Sequence, residues 1–207
     1  MTPTAGGAPA IPSPGFAHPT RDAQRAFRAV LDAMAHPTRS YPLTGPAEPP
    51  AALGRGLAGV ALTVLDEDCT VWLGGALGDD VGVATWLSFH TGARRVAEAA
   101  DAQWVLAAPD ALPPLASLAL GTDEAPHLSA TVVLDARGGR GASRFTAHGP
   151  GIDGTAGLAA PWASDGFLKQ WRANTALFPR GVDLLLVDED AVTALPRTTH
   201  LDPPQEA

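Results

Sequence analysis

The sequence predicts an α/β protein, a mixed β-sheet with helices packed on it. Three observations carry this. Through the middle of the 207-residue chain, short β-type runs alternate with stretches of helical periodicity. Leu184-Leu-Leu-Val187, bounded by Asp183 and Asp188, is a continuous apolar run of strand length, which suits a strand covered on both faces. A Gly-rich connection at residues 138–141 lies between two strand-like runs and reads as hairpin-type, which makes the sheet mixed.

Taken in order, residues 1–15 are rich in Pro, Gly and Ala, lack periodicity, and read as a disordered leader. Thr20 is the candidate N-cap of a first helix. Its apolar face is Ala23, Phe27, Val30, Leu31 and Met34, with Gln24, Arg25, Arg28 and Asp32 on the other side. His36-Pro37 ends it, because the residue before proline disfavours the α region. Residues 38–50 read as a loop. Pro49-Pro50 starts a helix through residues 51–62, with Leu53, Leu57, Val60 and Ala61 buried. A turn at Asp66-Glu-Asp68 leads to a strand at 70–73. Asp79 or Asp80 caps a helix that runs to His90 and stops at Gly92. Strands follow at 103–107, 130–134 and 144–148, with a helix or helical turn at 112–120. Phe167, Leu168, Trp171 and Leu177 give one face of a helix that cannot pass Pro179. Strands at 184–187 and 191–195 and the segment 196–199 close a single domain over residues 16–200, with 201–207 a tail.

A net charge of −8 argues against nucleic acid or an anionic membrane as a partner. The start has no basic or apolar signal segment, and the longest apolar-leaning run, residues 57–65, is far short of the ~18 residues a spanning helix needs. A soluble cytoplasmic protein is the expectation. Cys69 is the single cysteine, and its acidic neighbours disfavour the thiolate a nucleophile requires. Ser129 and Ser164 lack a nucleophile elbow. Lys169, the sole lysine, lies opposite the apolar stripe of its helix and reads as solvated.

The six histidines (18, 36, 90, 127, 148 and 200) form no metal-binding pair, so no metal is expected. Gly149-Pro-Gly-Ile-Asp-Gly154 spells a dinucleotide fingerprint, but Pro161 interrupts the helix it would open, and a rigid turn is the better reading. Most of the five tryptophans read as core, with one or two as interface anchors. Arg180 and Arg197 read as surface or salt-bridged arginines. The sharper alternative makes them anion or partner contacts at a strand end, forming an anion pocket with the 149–154 turn, with His148 and Asp183 as further candidates. No catalytic residue and no cofactor ligand stands out.

A resemblance adds to this. Gly15-Phe16, Gln24-Arg-Ala-Phe-Arg28, Leu31-Asp-Ala-Met34, Leu62-Thr-Val-Leu-Asp66 with Val71-Trp-Leu73, Phe89-His-Thr-Gly92, His148-Gly-Pro-Gly-Ile152, Phe178-Pro-Arg-Gly-Val-Asp183 and Leu195-Pro-Arg-Thr-Thr199 together resemble the PhnH family. These are subunits of the bacterial carbon–phosphorus lyase system. The resemblance implies a fold similar to the large domain of pyridoxal-phosphate-dependent transferases, without the cofactor. It also implies a homodimer when isolated and a place in a core assembly with the G, I and J subunits. That assembly supports displacement of adenine from ATP by a phosphonate, giving a ribose 1-phosphonate 5-triphosphate. The resemblance places catalysis on the partner chains. One departure is visible: the family has Pro-Gly after the first helix where this chain has Pro37-Thr38, so a different turn is expected there.

Overall fold

The computed structural model describes residues 12–139 and 141–204. The chain runs α1 (Pro19–Ala35), β1 (Tyr41–Pro42), α2 (Gly54–Val64), β2 (Thr70–Leu73), α3 (Ala76–Asp79), α4 (Val81–Thr91) and β3 (Arg94–Arg95). It continues through β4 (Trp104–Ala107), β5 (Thr131–Asp135), β6 (Arg144–His148), β7 (Ala156–Ala159), α5 (Phe167–Thr175), β8 (Asp183–Val187), β9 (Ala191–Leu195) and β10 (His200–Asp202). The α/β expectation is met with a seven-stranded sheet, β1-β9-β8-β5-β4-β2-β3, and a separate three-stranded sheet, β10-β6-β7. In the large sheet β3, β2, β4, β5 and β8 are parallel, while β9 is antiparallel to β8 and β1 antiparallel to β9.

Side-chain alternation divides the interior in two. Leu106, Val133, Leu185 and Val187 point to the core under α1, α2 and α4. Val105, Val132, Leu134, Leu184 and Leu186 point to a second core, shared with Phe145, Phe167 and Trp171. β8 lies between β5 and β9 with both faces covered, which is why its sequence reads as an unbroken apolar run.

The hairpin expectation fails and the helix-or-turn expectation is met in its shorter form, each for a physical reason. The strands at 130–134 and 144–148 do not pair. Both edges of β5 are taken, by β4 and β8, so β6 has no edge to join there and pairs instead with β7 and β10. The glycine-rich segment carries the chain between sheets; a Cβ on Gly139 would lie 2.9 Å from the Pro161–Trp162 backbone. The turn at 149–154 is the actual hairpin connection, between β6 and β7. Of the helix or helical turn expected at 112–120, the turn is what forms: one 3₁₀ turn, Leu115–Ser117, because Pro113 and Pro114 disfavour helical backbone before them and remove two N–H donors.

Thr20 lies inside α1 rather than capping it. The helix starts at Pro19, and the Asp22 carboxylate accepts from the His18 N–H at 2.9 Å, closing the first turn. The buried stripe is Ala26, Ala29, Val30 and Ala33, rotated from the expected face, so Phe27 and Leu31 stand exposed. Small alanines let α1 lie close against its neighbours, and the larger side chains are left outside. α4 follows expectation: Asp80 Oδ1 accepts from the Gly82 and Val83 N–H groups, and Gly92 ends the helix at φ 73°. At the chain ends, residues 1–11 of the expected leader lie outside the described residues. The Ser13 carbonyl accepts from Trp86 Nε1 at 2.9 Å. β10 carries the ordered chain to Asp202 with Leu201 buried, past the expected boundary at residue 200.

Where the chain departs from the family's Pro-Gly, the threonine adopts a glycine-like backbone. Thr38 takes φ 71°, the left-handed region that suits glycine, and its N–H donates to the Ala194 carbonyl at 3.3 Å. Buried Pro37 and the close packing of Gly151 against the end of α1 hold the backbone there in spite of the β-branched side chain. Thr38→Gly is therefore expected to stabilise the protein by about 1 kcal/mol, raising Tm by roughly 2–4 °C in thermal unfolding.

Candidate functional site

Arg197 follows β9, and Asp183 opens β8. Antiparallel pairing puts them side by side. The Asp183 carboxylate accepts from the Arg197 backbone N–H at 2.7 Å, from its Nε at 3.1 Å and from its Nη2 at 2.5 Å. Arg197 Nη1 donates to the Pro126 carbonyl at 3.1 Å and the Pro179 carbonyl at 3.2 Å. The two side chains are only 15% and 14% exposed. A guanidinium has five N–H groups, and four are spent on these bonds. Arg197 is a brace that ties the start of β8 to two turns, not a waiting anion ligand. The pair also sits at the amino edge of the parallel strands, whereas open α/β sheets hold ligands at the carboxyl edge.

Arg180 is more exposed and faces Asp123, with Nε 3.1 Å from Oδ1 but off the line of a hydrogen bond. Between the braced turns the surface carries Phe178, 65% exposed, and the exposed Leu128. His148 lies elsewhere, on β6 opposite His200 of β10. Their rings stack at 5.1 Å, and His148 Nε2 is 3.4 Å from Asp202, which also pairs with Arg172. In the 149–154 turn, Gly149 packs against the Thr198 carbonyl and Gly151 against the end of α1. It opens no helix, so it lacks the N–H cluster a pyrophosphate would need.

Lys169 is exposed on α5, at the rim of an apolar groove of about 380 Å³ formed with Leu115, Leu120 and Leu177. The polar groups beside it are turned inward. Gln170 Oε1 accepts from the Leu115 N–H at 3.0 Å, and Asn174 bonds both the N–H and the carbonyl of Val182, at 2.8 and 2.9 Å. Among the described residues Lys169 is the one cation lining the groove, with no second cation beside it for a phosphate. These residues do not fit pyridoxal phosphate.

Burial pushes the Cys69 thiol up from its ordinary range, with Asp66 adding to the rise despite a backbone bond that opposes it. Burial is thus a larger cause than the neighbouring carboxylates. Among the described residues no group of three His, Cys, Asp or Glu side chains is placed to hold a metal ion.

Sequence reasoning missed two features. Arg137 forms a fork with Asp135, Nε and Nη2 each at 2.8 Å, and reaches the Ala52 carbonyl at 2.9 Å and Glu189 at 3.4 Å. Hydrogen bonding to Asp135 raises the Arg137 pKa beyond its usual value. This group fills the carboxyl edge of β5 and β8. A charged pair two residues apart just after an apolar strand is the available signal. The Asn174–Val182 pairing had no local signal, since its partners lie across a turn.

Arg197→Met leaves Asp183 buried without its cation and is expected to cost about 3 kcal/mol or more in urea unfolding, while Arg180→Ala stays within about 0.5 kcal/mol. Cys69 should react with iodoacetamide more slowly in the native than in the urea-unfolded protein at pH 8. The native rate should keep rising at pH values where the unfolded thiol has levelled off.

The profile of the family described as "Bacterial phosphonate metabolism protein (PhnH)" matches residues 14–202. A relative from Rhizobium meliloti (strain 1021), named "Alpha-D-ribose 1-methylphosphonate 5-triphosphate synthase subunit PhnH", is 39% identical over 193 residues, covering 93% of this chain and 96% of its own length. A second, from Stutzerimonas stutzeri and named "Putative C-P lyase subunit protein HtxG", is 35% identical over 180 residues, covering 86% of this chain and 85% of the relative. With the profile spanning nearly the whole described fold, the chain belongs to the PhnH family of bacterial phosphonate metabolism proteins.

Proposed function

We propose that this chain is a subunit of a carbon–phosphorus lyase system and supports formation of a ribose 1-phosphonate 5-triphosphate from ATP and an alkylphosphonate, with adenine displaced. The observation that carries this is the 39% identity, over almost the full length of both chains, to a relative named as a subunit of such a synthase. The chain acts by interaction rather than by its own chemistry. The candidate polar residues are engaged in structure: Arg197 and Asp183 with each other, Asn174 with Val182, His148 with His200 and Asp202. Large apolar side chains stand exposed at Phe27, Leu31, Val81, Phe89 and Phe178, as suits a surface that meets other proteins. Its partners are the G, I and J subunits, and the isolated chain pairs with a second copy in the cytoplasm. A fold like the large domain of pyridoxal-phosphate-dependent transferases belongs to the same reading.

An anion site of its own, for a triphosphate or the phosphonate product, is the competing reading. It loses support because Arg197 has few donors left and Arg180 already faces Asp123. Incubated alone with ATP and methylphosphonate, the purified chain should release no adenine; release would overturn the reading. Calorimetric titration with ATP should give no heat. Binding that weakens in Arg180→Ala would restore the anion site.

A further inference from the structure

The outward face of α1 differs from the rest of the surface. On a chain of net charge −8, Arg21, Arg25 and Arg28 share one helical face, spaced i, i+4 and i+7 over about 10 Å of axis. Phe27 and Leu31, one turn apart, are 49% and 51% exposed beside them. Among the described residues Arg25 and Arg28 have no hydrogen-bonding or ion-pair partner from a side chain, and Arg21 has only a 3.7 Å approach to its neighbour Asp22. Asp32 lies one turn beyond Arg28, yet no ion pair joins them among the described residues. The core-facing stripe of α1 is on the other side, so the fold does not require these side chains.

We propose that this face docks another protein subunit through a surface that is apolar at its centre and carboxylate-bearing at its rim. The proposal rests on the subunit reading above and names the place and chemistry of one contact. Charge complementarity selects the occupant. Arginine and aromatic side chains around an apolar centre form the composition of binding hot spots, and unpaired guanidinium groups gain most from bidentate carboxylates. A second copy docked through the same face by a twofold axis would set like arginine clusters together, which repel. Nucleic acid would use the arginines but leave Phe27 and Leu31 without partners, and the chain's net charge opposes its approach.

The test is to co-express the tagged full-length chain with the other subunits of the synthase and compare wild type with Arg25→Glu/Arg28→Glu and with Phe27→Ser/Leu31→Ser. Circular dichroism and Tm establish that each variant is folded. Both variants should weaken subunit binding, the charge reversal by about 100-fold or more, and wild-type binding should weaken as salt rises. If both folded variants bind like wild type, this proposal is wrong and the subunit reading stands. If wild type binds no subunit, the subunit reading falls and this one with it. A charge reversal that changes the self-association of the isolated chain makes the face a self-contact and overturns the proposal. So does a wild-type shift of labelled RNA or duplex DNA that the reversal abolishes.

Discussion

The ion pair between Asp183 and Arg197 is the constraint on which the second half of the molecule depends. Two charges withdrawn from water are tolerable only when their hydrogen-bonding capacity is met, and here it is met almost completely. The geometry fixes the start of β8 against the end of β9. Through the Pro126 and Pro179 carbonyls it fixes the two turns that carry Leu128 and Phe178 as well. A rigid presentation of exposed apolar side chains loses little entropy on association, which suits a subunit better than a mobile loop would. Asn174 adds a second tie, joining α5 to the residue just before β8.

Those ties make sense of an architecture with two cores. The large sheet is covered by α1, α2 and α4 on one face, and by α5 and the small sheet on the other. β10 and Trp171 stitch the small sheet to α5: Trp171 is fully buried and donates to the Thr199 carbonyl at 2.8 Å. The carboxyl edge of β5 and β8, where an α/β protein usually receives a ligand, is occupied by Arg137 with Asp135 and Glu189. Polar chemistry that looks functional in isolation is thereby spent on holding the layers together.

Legibility varied by element for identifiable reasons. The helix from Val81 and the strands at Thr70, Arg144 and Ala191 were readable because caps, glycine stops and apolar alternation are local. The orientation of α1 was not, since two apolar stripes compete on it and burial followed the alanines rather than the larger Phe27 and Leu31. At the candidate site, the salt-bridged reading of Arg197 was available from the sequence, but its partner was not. Asp183 is fourteen positions away and comes alongside only through antiparallel pairing of β8 and β9. His148 and His200 are likewise joined by strand register.

By itself the sequence determined the α/β class, most strand and helix positions, the burial of 184–187 on both faces, and membership of a family through its short motifs. Each of these rests on periodicity, turn chemistry or residue identity within a few positions. Only the tertiary structure decided which strands share a sheet, which face of α1 turns outward, and which charges are neutralised by one another. Those depend on edges already taken and on partners distant in the chain, and a saturated β5 with no free edge for β6 is something no local pattern encodes.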